Sequence, residues 1–128
     1  MTRPKTTVAV KRVYDEPTDE DGLRVLVDRV WPRGMTKEAA AYDSWIKELA
    51  PSTELRRWFA HDPSKLEDFR ERYFAELEEK EGLVEQCLRQ WEGRHITLLY
   101  GAKDREHNQA VALAEYLKTR VLVGRRSI

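Results

Sequence analysis

The run Ile96–Gly101, ITLLYG, constrains the fold more than any other stretch of this chain. It is short, continuously apolar and without a polar face. A strand formed here must be covered on both sides, as a central strand of a parallel or mixed sheet is. A second stretch behaves in the same way: in LRVLV, Leu23, Val25 and Val27 alternate with Arg24 and Leu26, so apolar residues again fall on both faces. Thr7–Tyr14, TVAVKRVY, is β-branched and aromatic with no Gly or Pro, which favours a first strand with Val8 and Val10 on one face. Asp15–Gly22, DEPTDEDG, then reads as a solvated connection, which would make the first two strands antiparallel neighbours.

Helices fill most of the remainder. Thr36 can cap a short helix through Lys37–Ala41, and Ser52 or Thr53 one in which Leu55, Trp58 and Phe59 form an apolar stripe. Tyr42–Ala50 fits neither period cleanly. At His61-Asp62-Pro63 the chain stops and restarts, with Asp62 as N-cap and Leu66, Phe69, Tyr73 and Leu77 on one helical face. Gly82 is expected to break or bend that helix before Val84, Cys87, Leu88 and Trp91 repeat the spacing up to Gly93. Asp104 is the expected cap of a last helix with Ala110, Leu113, Ala114 and Leu117 inward, and Val121–Val123 suggests a final strand after a right-handed crossover. The fold class is therefore α/β, a small mixed, mostly parallel sheet of about four strands flanked by helices, in a single domain over residues 1–128.

Charge narrows the function classes. Lys and Arg total 23 against 23 Asp and Glu, so there is no global positive field, and nucleic-acid binding is possible only through a local patch and is not favoured. The lone Cys87 has no partner for an internal disulfide, and no apolar run approaches the roughly 20 residues that span a bilayer. Residues 1–6 are polar and read as an untied start rather than a signal peptide, so a cytoplasmic protein with no membrane partner is expected.

In open α/β sheets, ligands sit beyond the carboxyl ends of the strands. Two such exits are dense in chemistry here: Asp28–Gly34, DRVWPRG, and Gly101–Asn108, GAKDREHN. Arg29 and Arg33 offer planar forks to a carboxylate or phosphate, Trp31 a stacking surface, and the helix start after Asp104 free backbone N–H groups. His107, near a helix start and a carboxylate, is the best general acid/base, with Asp104 beside it. The competing reading makes Asp28 an ion-pair partner of Arg29 or Arg33 and Lys103–Glu106 a solvated helix start. His61, Asp104 and His107 lack the spacing of a metal site, so no metal is expected. Ser44, Ser52, Ser64 and Ser127 lack a nucleophile-elbow context, and Cys87 lies on an apolar helix face. The glycines are scattered singly, which sets aside phosphate-loop and dinucleotide sites and leaves any cofactor unknown.

VKRVYDEPTDEDGLRVLVDRVWPRG, WIKELAPSTELRRWFAHDP and LLYGAKDREHNQAVALAEYL together resemble the successive motifs of the YeaO-like family, domain of unknown function 488, over nearly the whole chain. The resemblance implies a compact bacterial or archaeal α/β domain and carries no agreed activity, substrate or catalytic residue with it. Its motif positions correspond here to Arg12, Asp28, Arg29, Trp31, Pro32, Arg33, Gly34, Lys47, Pro51, Ser52, Trp58, His61, Asp104, His107 and Asn108. Gly101, where family members more commonly carry Ala, and the tail VLVGRRSI are departures. The candidate ligand-binding set is thus Arg12, Arg29, Trp31, Arg33, Gly34, Ser52, His61, Lys103 and Asn108, with His107 and Asp104 as the candidate catalytic pair. The expected function is binding of a small anionic ligand, with acid/base catalysis as an option. The alternative is a nucleic-acid or protein interaction module that sets Arg12, Arg29, Arg33 and Arg125-Arg126 on one basic surface. Oligomeric state is left open.

Overall fold

The computed structural model describes residues 5–126, with side chains as far as Val121. Four strands, β1 (Thr7–Arg12), β2 (Leu23–Leu26), β3 (Ser44–Trp45) and β4 (His95–Tyr100), form one sheet in the order β1-β4-β2-β3. Every pairing is parallel, so the sheet is not mixed. The apolar run of β4 is the central strand, buried from Ile96 to Tyr100.

That placement corrects the expected β1–β2 hairpin. A strand with no polar face needs a neighbour on each edge, and β4 takes β1 from Thr7↔His95 to Arg12↔Tyr100 and β2 from Leu23↔Ile96 to Leu26↔Leu99. The acidic link between β1 and β2 must therefore return to the start of the sheet instead of making a tight turn. Nor is all of it solvated. Asp21, at the end of a short 3-10 turn (Asp19–Asp21), is buried and accepts from Lys11 Nζ at 3.1 Å and Arg24 Nη1 at 2.5 Å.

The helices are α1 (Lys37–Ala40), α2 (Thr53–Phe59), α3 (Leu66–Glu79), α4 (Glu81–Gln90) and α5 (Gln109–Arg126). Three expected caps act as such, the side chains of Thr36, Ser52 and Asp62 accepting from the N–H groups of Ala39, Leu55 and Ser64, although Asp62 caps a 3-10 turn, Pro63–Lys65, that leads into α3 and not α3 itself. The ambiguous Tyr42–Ala50 stretch resolves into β3 and a 3-10 turn, Lys47–Leu49. Gly82 does not break the helix. The break falls at Lys80 (φ −109°, ψ 31°), and Gly82 lies inside α4, where a single glycine is tolerated. Val121–Val123 form no strand but continue α5, because extending an established helix outweighs the weak strand preference of valine. The side chains of Arg125 and Arg126, and residues 1–4, lie outside the described residues. Thr6 is held, its Oγ1 donating to Trp91 O and accepting from Gly93 N–H.

The main core joins Val25, Ile96 and Leu98 of the sheet to Phe69, Tyr73 and Leu77 of α3 and Leu113 and Leu117 of α5. A thinner second layer on Leu26 and Leu99 is closed by Val13 and Ala40, with Trp31, Met35, Tyr42 and Trp45 packed against it. Each buried Leu or Phe stabilises by roughly 1.5–3 kcal/mol. The two layers thus hold β2 and β4 side by side, with their carboxyl ends at one edge. No helix among the described residues is long and apolar enough to cross a membrane.

Candidate functional site

Because β2 and β4 are parallel neighbours, the loops that follow them leave the sheet together, and direct bonds join them. Gly101 N–H donates to Asp28 Oδ2 at 2.9 Å, and the Gln109 side-chain amide donates to Oδ1 at 2.5 Å. Gly101 sits so close that a Cβ there would lie 2.8 Å from the same carboxylate oxygen. The exit of β1 joins them through Arg12 Nε, which donates to Ala102 O at 2.9 Å. Arg29 ties in the segment before α2, its Nε donating to Pro51 O at 2.9 Å and its Nη2 to Ala50 O at 3.2 Å. These segments surround a cleft of about 560 Å³.

Five cationic side chains line this cleft: Arg12, Arg29, Arg33, Arg56 and Lys103. Among the described residues none of the five makes an ion pair. Behind them is an apolar wall that includes Pro32, Ala50, Pro51, Phe59 and Phe69, all buried. Among the described residues the one carboxylate in the lining is Asp28. Removal from water raises its pKa to about 6, against the lowering effect of the Gly101 and Gln109 hydrogen bonds and of the nearby Arg56 charge. The alternative in which Asp28 pairs with Arg29 or Arg33 is not realised, since its side-chain partners are neutral amides.

The other candidates divide. Arg12 lies over the Tyr14 ring, 4.5 Å from its centroid, and the Tyr14 hydroxyl donates to Arg33 O at 2.5 Å, so both arginines are tied to the rim. Trp31 lines the cleft as an anchored wall: its indole N–H donates to Met35 O at 2.8 Å, and its ring meets Tyr42 and Trp45 edge-on. His61 also lines it, carried there by two successive left-handed residues, Ala60 (φ 47°) and His61 (φ 57°). Such a conformation costs non-glycine residues on the order of 1 kcal/mol each. Gly34 makes the turn after Arg33 at φ 75° but is not in the lining.

Ser52, Asn108, Asp104 and His107 do not line the cleft. Ser52 caps α2 and donates its hydroxyl to Glu76 at 2.6 Å. Asn108, not Asp104, caps α5: its side chain accepts from Val111 N–H at 3.0 Å and donates to Asp104 O at 2.9 Å. Asp104 instead closes a turn, accepting from the backbone N–H groups of His107 and Glu106, which hold its pKa below the usual carboxylate range. The expected Asp104–His107 pair does form, Nδ1 to Oδ2 at 2.9 Å, outside the cleft. Arg105, read as part of a solvated helix start, makes a two-pronged ion pair with Asp15 at 2.7 and 2.8 Å.

Sequence reasoning missed Arg56 and the role of Asp28. Arg56 lies in a quoted motif segment, WIKELAPSTELRRWFAHDP, but on the polar side of a short helix, where nothing local singles it out. Asp28 stood in a quoted motif, but nothing local shows that its partners are Gly101 and Gln109. No group of three or more His, Cys, Asp or Glu that could hold a metal ion occurs among the described residues.

Residues 7–125 match the family profile described as "Inactive DUF488-N3 subclade". The chain is similar to the uncharacterised protein YeaO of Escherichia coli, 43% identical over 112 residues that cover 88% of this chain and 97% of that protein. It is also similar to an uncharacterised protein of Mycobacterium tuberculosis, 39% identical over 117 residues, 91% of this chain and 98% of the relative. No solved structure matches.

Proposed function

The chain belongs to the DUF488 family, and from that premise we propose that its strand-exit cleft binds a small molecule bearing a phosphate or carboxylate, without catalysis. The observation that carries this reading is the set of five unpaired cations around one concavity. Being unpaired is not peculiar to them, since Lys47, Lys65 and Lys80 outside the cleft also meet only a ring or backbone carbonyls; what sets the five apart is that they gather around one recess beside an apolar wall. Cations beside an apolar wall attract an anion more strongly than they would in open water, and guanidinium forks match carboxylate and phosphate oxygens. Binding without catalysis is supported by the subclade's description as inactive and by the position of the Asp104–His107 pair outside the cleft. The nucleic-acid or protein module gains less support, because Arg12, Arg29 and Arg33 border a recess and not an open face.

Thermal-shift titration at fixed ionic strength tests the reading. A phosphate- or carboxylate-bearing compound supplied at 100 times its Kd stabilises by about 2.7 kcal/mol, a readable rise in Tm. The rise is expected to be lost in Arg33→Ala and Arg56→Ala. A broad panel of phosphates and carboxylates that leaves Tm unmoved, or a hit that both variants retain, removes the proposal.

A further inference from the structure

Resting on that anion-binding reading, we infer that the ligand is an anion mounted on an apolar or aromatic body that carries an N–H or O–H donor, and that Asp28 selects it by accepting from that donor. Three observations lead there. The first is how the lining is divided: Arg33, Arg56 and Lys103 are exposed, whereas Phe59, Phe69, Ala50 and Pro51 are buried. A bare inorganic anion would satisfy only the exposed cations. A cleft of about 560 Å³ instead falls within the roughly 300–1,000 Å³ typical of sites for whole organic molecules.

The second is the acceptor capacity of Asp28. Each oxygen of an ionised carboxylate accepts about two hydrogen bonds. Oδ2 takes one from Gly101 and Oδ1 one from Gln109, so each keeps an unfilled acceptor position on a side chain that lines the cleft. The third is direction. The Asp28 carboxylate, which already feels the Arg56 charge, repels a second anion, so the charged head lies toward the exposed Arg33 and Lys103 and the body lies inward. A group on that body facing Asp28 is accepted if it donates and rejected if it only accepts, because an acceptor there would leave a carboxylate facing a lone pair.

Calorimetric titration of the full chain near pH 8 with inorganic phosphate, phenyl phosphate, para-aminophenyl phosphate and para-nitrophenyl phosphate decides the matter. Phenyl phosphate is expected to bind about tenfold tighter than inorganic phosphate, and the amino compound about tenfold tighter than the nitro compound. In Asp28→Asn, which both donates and accepts, the amino-to-nitro ratio is expected to fall within about twofold. Gly101→Ala is the second variant: its Cβ, 2.8 Å from Oδ2, displaces the carboxylate without deleting it, and is expected to lower the same ratio. Phenyl phosphate binding no tighter than phosphate overturns the apolar body. Equal affinity for the amino and nitro compounds, or a ratio that survives in both variants, overturns the role of Asp28. Failure of all four compounds to bind overturns this inference, while the broader anion reading falls only if the thermal-shift panel of phosphates and carboxylates is blank as well.

Discussion

Asp21 precedes β2 and Asp28 follows it, and the two ends of this strand treat a carboxylate in opposite ways. Around Asp21, Lys11 and Arg24 donate alongside the Thr18 backbone N–H and hydroxyl. Burial works to raise its pKa, and these hydrogen bonds outweigh burial and bring it down to about 2. Arg24 is itself engaged, its Nη2 donating to Ala40 O at 2.7 Å and its Nε to Ala41 O at 2.9 Å. Around Asp28 the direct donors are a backbone N–H and a side-chain amide, both neutral, and five cations surround the neighbouring space without pairing. One end spends its charges on itself and holds the fold closed. The other leaves its cations without a carboxylate partner, two of them, Arg12 and Arg29, donating only to backbone carbonyls.

The largest expected effect is at the closed end. Asp21→Ala leaves Arg24, which is 5% exposed, without its counter-charge, and is expected to cost about 3 kcal/mol or more near pH 7 in urea unfolding. A folded pKa depressed to about 2 means that the contribution of Asp21 is present above the unfolded value of about 4 and is lost as pH falls toward 2. The gap between variant and parent should therefore narrow over that window. A cost below about 1 kcal/mol near neutrality would break the contrast between the two ends.

Asp28→Asn is expected to act in the opposite direction. With a folded pKa of about 6, above the unfolded value, the stabilising contribution of Asp28 is fully present below about pH 4 and lost as pH rises through about 6. The asparagine variant escapes that loss. It should be more stable than the parent by about 1–2 kcal/mol near pH 8 and indistinguishable near pH 4. A variant that is less stable near pH 8 would show that the carboxylate is a structural tie after all.

The smallest effect sharpens the geometry of the open end. Gly101→Ala is expected to cost about 1 kcal/mol by pushing Asp28 off the Gly101 N–H. In an Asp28→Ala background the same change should be neutral or stabilise by about 0.5 kcal/mol, through the lower entropy of the unfolded chain. A double-mutant cycle showing no coupling between the two positions would mean that the contact carries no energy.

Much of this could be read along the chain. The central strand, the three acting caps and the core stripes of α2, α3 and α5 depend on residues a few positions apart, and local periodicity reports them. The two polar exits could be named along the chain, but whether they meet could not, since that follows from the parallel pairing of β2 with β4. Asp21 was misread for a physical reason: an acid among acids, Pro and Gly has the composition of a solvated loop, and only the packing of Arg24 and Lys11 over the same spot makes it a buried clamp. The role expected of Asp104 as the helix cap passed to Asn108 because the chain makes one further turn before α5 begins.

By itself the sequence determined β1, β2 and β4 and the apolar faces of the longer helices, and that arginines and an aspartate follow β2. Tertiary structure alone decided which charges pair with a carboxylate and which do not. Asp28 meets its partners 73 and 81 residues away, and a carboxylate's pKa depends on the water and donors within a few ångströms of it, whatever its neighbours along the chain.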